Sequence, residues 1–133
     1  MTGVQTCALP IFQKSIAFTE QLQGTPDYMI ATKSALGKSV LETPLLLVVE
    51  AKKNDFEQGW AQCLAELIAA QGLNKQTQKT VYGIVTDGEL WKFGKLFEKQ
   101  FQLNTTPYTI GQLEELFGAL HQIFQLALLP ELI

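Results

Sequence analysis

The sequence predicts an α/β (α+β) fold, a mixed β-sheet flanked by helices, and three observations carry that expectation. Leu45-Leu46-Leu47-Val48-Val49 is an unbroken apolar run of strand length, which fits a central strand covered on both faces. Phe56, Trp60, Cys63, Leu64, Leu67 and Ile68 recur at helical spacing and form one apolar stripe. Asp87-Gly88, between the strand-like segments 80–86 (TVYGIVT) and 89–96 (ELWKFGKL), is a strong hairpin signal.

The remaining elements follow from turn signals. Residues 15–22 are short and mixed, and Gly24-Thr25-Pro26 reads as a turn. Residues 27–33 (DYMIATK) have the β-branched and aromatic content of a strand, and 34–44 form a polar connection. The apolar run ends abruptly in charge at Glu50-Ala51-Lys52, and a polar break follows in which Asn54 or Asp55 suits a helix cap. That helix should end near Gly72. A further strand is expected over 100–104. Leu113, Leu116, Phe117, Leu120, Ile123, Phe124 and Ala127 then mark an amphipathic helix that begins after Thr109 and stops before Pro130.

With 133 residues, the chain suits one domain with a real core. Its first eleven residues, MTGVQTCALPI, have no clear helix or strand period and no basic region ahead of an apolar stretch, so they are not a signal peptide. They resemble the translation of a widely used sequencing-library adapter, with Met1 standing for a GTG codon. That resemblance implies a non-native segment over 1–11 and a single domain over 12–133, truncated at its N-terminus.

Composition narrows the function classes. Nearly half of the residues are apolar, which places the chain among globular proteins. Outside the first eleven residues Cys63 is the sole cysteine, so an internal disulfide and a multi-cysteine metal cluster are excluded there. A reducing, cytoplasmic setting is the natural expectation. No apolar stretch reaches the roughly 18 residues needed to span a bilayer, so no membrane partner is expected. The formal net charge is −3 and all ten basic residues are lysines. Without arginine there are no bidentate forks for phosphates or base edges, so contact with nucleic acid should be weak or local unless lysines cluster. Lys33, Lys38, Lys52, Lys53, Lys92 and Lys95 are the candidates for such a cluster.

The residues able to carry chemistry lie at two strand ends. Asp27 follows Pro26 at the start of one strand, and Glu50 and Lys52 close the next, on one face by the period-two alternation of strands. If the strands pair antiparallel, Asp27 approaches Glu50. Two carboxylates and an ammonium then converge, as metal-assisted phosphodiester hydrolysis requires: hard Mg²⁺ takes oxygen ligands and keeps waters, one of which becomes the nucleophile. The Ala51 carbonyl is a further oxygen, and Lys52 would orient the water and offset charge developing on the phosphate. An isolated Glu-X-Lys is usually a solvated pair. Here the acid closes an unbroken apolar run, where an ionised side chain is costly unless paired or metal-bound.

Pro26-Asp27, Val48-Val49-Glu50-Ala51-Lys52-Lys53 and Gly59-Trp60-Ala61-Gln62-Cys63-Leu64-Ala65-Glu66 resemble, in order and spacing, the motifs of the PD-(D/E)XK nuclease-like superfamily. More narrowly, with Gly83 to Gly94 included, the chain is similar to short stand-alone proteins related to the N-terminal nuclease domain of type I restriction enzyme R subunits. The resemblance implies a restriction-endonuclease-like core whose first helix is missing here. It also implies Asp27, Glu50 and the Ala51 carbonyl as ligands to Mg²⁺ or substituting Mn²⁺, Lys52 as the catalytic lysine, and Gln62 as a residue that supports the site or touches substrate. The implied partner is nucleic acid, DNA first, within a homo-oligomer or a larger restriction-type complex.

Other residues point less clearly. Gln62 and Glu66 share a helix face, a spacing more often solvated or packing-related than catalytic. Cys63 reads as a small core residue, His121 as structural or surface, and Trp60, Tyr82, Trp91 and Phe93 as core aromatics. Two alternatives to a nuclease remain: a catalytically inactive nuclease-fold module binding a partner protein or nucleic acid, and an oligomerisation unit built on the apolar stretch 124–133.

Overall fold

A computed structural model of the chain describes residues 8–12, 16–21, 23–32, 42–53, 55–75 and 78–128. The elements run β1 (Ala8–Phe12), β2 (Ile16–Ala17), β3 (Gln23–Gly24), β4 (Tyr28–Thr32), β5 (Glu42–Ala51), α1 (Phe56–Asn74), β6 (Val81–Thr86), β7 (Leu90–Phe97), β8 (Gln100–Leu103), β9 (Tyr108–Thr109), a 3₁₀ turn (Ile110–Gln112) and α2 (Leu113–Leu128). The mixed sheet flanked by helices is the architecture expected.

The main sheet has the order β1-β4-β5-β6-β7-β8, with β9 pairing the start of β7. Only β5 and β6 run parallel, and α1 is the crossover that parallel neighbours require. Every other pair in this sheet is antiparallel. β2 and β3 form a separate two-stranded ribbon. It packs against α1.

The sheet therefore has two covered faces. Toward α1 point Met29, Ala31, Val48, Val81, Val85 and Leu96, packed on Cys63, Leu67, Ala69 and Ala70. Toward α2 point Leu47, Ile84 and Phe93, packed on Leu116 and Ile123. Burial on both sides explains why β5 reads as a continuous apolar run rather than an alternating one.

Local outcomes differ from the sequence expectation in β1 and β5. Residues 8–12, within and just after the segment without a discernible period, form an edge strand against β4, with Phe12 opposite Tyr28. The backbone of an edge strand needs only a ladder partner, whatever its side-chain pattern. β5 begins at Glu42 rather than Leu45, and so takes in Pro44. A proline is accommodated there because the β4 register breaks opposite it, stepping from Leu45 to Glu42, and β6 pairs only from Leu47 onward. The rest of the expected 34–44 connection, like residue 33 of the expected first strand, lies outside the described residues. No helix precedes β4 among the described residues.

α1 starts where its cap predicts. The Asp55 carboxylate accepts the backbone N–H of Gln58 at 2.9 Å, satisfying one of the donors that a helix start leaves open. The helix runs past Gly72 to Asn74 and ends on Lys75 in the left-handed conformation, φ 57°. Replacing Asp55 by Ala should lower the unfolding free energy by about 1 kcal/mol. Equilibrium urea unfolding of the two proteins measures this, and an unchanged midpoint would show that the cap does not hold the helix.

Candidate active site

β4 and β5 pair antiparallel with Tyr28 opposite Val49 and Met29 opposite Val48, so Asp27 lies at the C-terminal end of β5. The Asp27 carboxylate locks this arrangement by accepting the backbone N–H of Ala51 at 2.8 Å. Pro26, just before it, is fully buried and anchors the turn. On the other side of β5, the Lys52 N–H donates to the Thr86 carbonyl at 2.8 Å. The segment 50–52 is thus held from both flanks.

The sequence-predicted residues come together on the α1 face. Glu50 is buried, at 2 % exposure, although it ends its strand. Lys52 and Asp27 are half-buried at the rim and Ala51 is exposed. The stem of Lys52 lies along the first turn of α1, where Gly59 leaves room for it: a Cβ there would stand 3.3 Å from the Lys52 Cβ and 2.8 Å from a Val85 methyl. Glycine in a helix interior costs some stability, and here it permits the approach of helix to strand.

The residue that sequence reasoning undervalued is Glu66. Far from being solvated, it is fully buried and meets Glu50 beneath the rim. Gly24 of the β2–β3 ribbon closes over it, and a Cβ at Gly24 would fall 2.5 Å from the Glu66 Oε2. The four-residue spacing from Gln62 gave the face of the helix but not the cover. That cover comes from a segment some forty residues away in sequence, so no local pattern reports it.

The electrostatics follow from this enclosure. Burial pushes the Glu66 carboxyl up to about 9, and the neighbouring Glu50 carboxyl adds to it; the Gln62 amide pulls the other way. Burial likewise raises Glu50. Asp27 adds to that rise, while Glu66 and the Lys52 ammonium oppose it. Glu50 Oε2 and both Glu66 oxygens have no donor in hydrogen-bonding geometry. Two adjacent carboxyls without donors are tolerable when one keeps its proton, because like charges at contact cannot both ionise cheaply. The buried Cys63 thiol is also raised, by burial first and then by Glu66 and Glu50, so it is a core residue and not a nucleophile.

Of the expected lysine cluster, Lys52, Lys53 and Lys92 stand at this end of the sheet, while Lys33 and Lys38 lie outside the described residues. Lys92 pairs across from Val85, which in turn neighbours Glu50, and its ammonium sits 4.5 Å from the Phe56 ring centroid. Lys95 belongs to the other face, where it lines a cleft of about 290 Å³ with Tyr82, Phe93, Tyr108 and Ile123. Trp60 packs on Phe101 with ring centroids 5.6 Å apart, and Phe93 on Tyr108 at 5.5 Å, so these aromatics serve the core. Glu20 is exposed in the loop between β2 and β3, and its backbone carbonyl accepts from Gln23 at 2.8 Å. His121 is exposed on α2.

No protein-family model, curated protein or solved structure matches the chain.

The Glu50–Glu66 contact has a measurable consequence. Unfolded, Glu66 ionises near 4.5; folded, it keeps its proton up to about 9. Between those values the folded state binds more protons than the unfolded, so this residue makes stability fall as pH rises, and below them its penalty vanishes. Glu66→Gln, which is neutral throughout, should remove that slope. In chelator-treated protein, the denaturant midpoint of the wild type should drop between about pH 5.5 and about pH 8.5, and that of the variant should drop less. Parallel pH profiles would refute the buried carboxyl pair.

Proposed function

We infer that the chain is a Mg²⁺-dependent DNA endonuclease, or a nuclease-like protein of that design, hydrolysing phosphodiester bonds in a restriction or defence setting, with Mn²⁺ able to substitute. The resemblance of its motifs to PD-(D/E)XK nucleases motivates the reading. The observation that carries it is the Asp27 to Ala51 hydrogen bond of 2.8 Å, which holds one carboxylate beside a second, Glu50, and beside Lys52.

The donor set suits a hard cation. Asp27, Glu50 and the Ala51 carbonyl would hold it. Among the described residues no three His, Cys, Asp or Glu side chains form a ready-made cage. Magnesium needs none, since it is commonly bound by one or two carboxylates with substrate phosphate and water completing the shell. The buried Glu50 Oε2, which has no donor, is the kind of acceptor a cation would satisfy. Bound there, the metal would polarise the phosphodiester and lower the pKa of the attacking water.

The chain's own groups divide the remaining work. Lys52, at the rim with its stem fixed against Gly59, presents an ammonium where negative charge develops on the scissile phosphate. Gln62 acts through Glu66, and Glu66 in turn acts on Glu50, so both are positioning residues. Lys92, one strand beyond the Glu50–Val85 pair, offers a second cation for the phosphate backbone.

One observation favours a second reading, a catalytically inactive nuclease-fold module that binds a partner protein or nucleic acid. Glu50 already lies against Glu66, and a buried carboxyl pair of which one member keeps its proton is stable without a cation. The absence of arginine points the same way. Cleavage of plasmid and single-stranded DNA separates the two. With Mg²⁺ or Mn²⁺ the protein should nick DNA, and Lys52→Ala or Asp27→Asn should lower the rate by roughly 100-fold or more. No cleavage by well-folded protein with either metal would replace the nuclease reading with the binding module.

A further inference from the structure

Where Glu66 lies against Glu50, three buried carboxylate oxygens are left without a donor. Glu66 is fully buried and Glu50 nearly so. Glu50 Oε2, Glu66 Oε1 and Glu66 Oε2 have no hydrogen-bond partner. Buried polar atoms are nearly always satisfied, so an orphaned set in one place points to a species that satisfies it. The possible species differ in how many oxygens each can serve. A shared proton or a single water reaches at most two of the three. A hard divalent cation takes all three at once, and its charge balances two carboxylates.

We propose that Glu66 is a direct ligand of a hard divalent cation, held between its own carboxylate and that of Glu50. This rests on the cation-binding part of the nuclease reading and not on its hydrolytic part. It extends the ligand set from the strand end to α1, and gives Glu66 a part beyond positioning Glu50.

Charge, donor type and space agree with such a site. The neighbours that act most on Glu66 are the Glu50 and Asp27 carboxyls and the Gln62 amide, whereas the Lys52 ammonium acts on Glu50. Positive charge is thus supplied at the rim and lacking at the buried end of the pair. Among the described residues no histidine or cysteine joins the two acids in a ligand set, and donors of oxygen alone select Mg²⁺, Ca²⁺ or Mn²⁺ over softer ions. Gly24, which covers Glu66, also lines a cleft of about 270 Å³ with Ile16, Ala17, Gln23 and Thr25. Solvent space therefore reaches the backbone that closes over the carboxyl.

Mn²⁺ is the probe, titrated at fixed ionic strength into the chelator-stripped full chain and followed by the paramagnetic resonance of the free ion. The wild type should bind a single Mn²⁺ per chain, with Mg²⁺ competing. Glu66→Gln keeps the shape without the charge and should weaken binding at least about tenfold. Glu66→Leu has no donor, so the Mn²⁺ it still binds at high concentration should gain a coordinated water, read by water-proton relaxation. A residue that only positioned Glu50 would change the affinity and leave that count alone. Circular dichroism checks that both variants fold. Wild-type affinity in Glu66→Gln overturns the proposal, and so does an unchanged water count in Glu66→Leu. If Asp27→Asn alone then releases the ion, the site is the one at the rim and the nuclease reading stands. Absence of Mn²⁺ binding by the wild type overturns both. Binding through Glu66 without any DNA cleavage supports the site and removes only the hydrolytic reading.

Discussion

The placement of β5 between an antiparallel and a parallel neighbour is the constraint on which the rest depends. A parallel neighbour cannot be reached by a tight turn, so the chain must leave β5, cross one face of the sheet as α1 and return as β6. α1 therefore lies over the side chains that β5 presents to that face, Val48 and then Glu50. The burial of an acidic group at the strand's end is a consequence of this connectivity. The antiparallel neighbour adds the second half: the residue just before it, Asp27, meets the last residue of β5 because the two strands run in opposite directions.

Burying Glu50 creates a local problem that the surrounding residues answer. An isolated ionised carboxylate in such a place would be strongly unfavourable. Lys52 lies two residues on, and Glu66 meets Glu50 from the helix above. The enclosure is completed by small residues at points of close approach, Gly24 over Glu66 and Gly59 beside Lys52. The opposite face of the sheet is built differently, with a cleft beneath α2 and large apolar side chains left outside. One face concentrates charge in a tight space; the other spreads apolar surface outward.

Much of the frame was legible because it depends on local pattern. The 45–49 run, the Asp87-Gly88 hairpin and the 56–68 stripe each report a period or a turn, and the cap at Asp55 reports a side chain that competes for a backbone donor. The convergence of Asp27, Glu50 and Lys52 needed one assumption, antiparallel pairing of adjacent strands, and that pairing is present. What escaped the sequence is what non-local contact decides. Glu66 is covered by Gly24, β1 is a strand because β4 offers an open edge, and of the apolar positions of α2 only Leu116, Ile123 and Ala127 are buried. Lys75 ending α1 in the left-handed conformation also carried no signal, since glycine or asparagine is the usual residue there.

The irregular pairing between β4 and β5 has a bearing on tolerance to length change. The register is regular from Tyr28 to Ile30, beside Asp27, and breaks only on either side of Ala31, at the end remote from Glu50. A strand slipped by one residue would send Glu50 and Lys52 to the opposite face. Because the misfit is taken up at the far end, insertions or deletions in the connection after Thr32 can be absorbed by shifting the bulge, with the pairing at Tyr28 and Val49 unmoved. The connection is thereby free to diverge in length while the carboxylates keep their places.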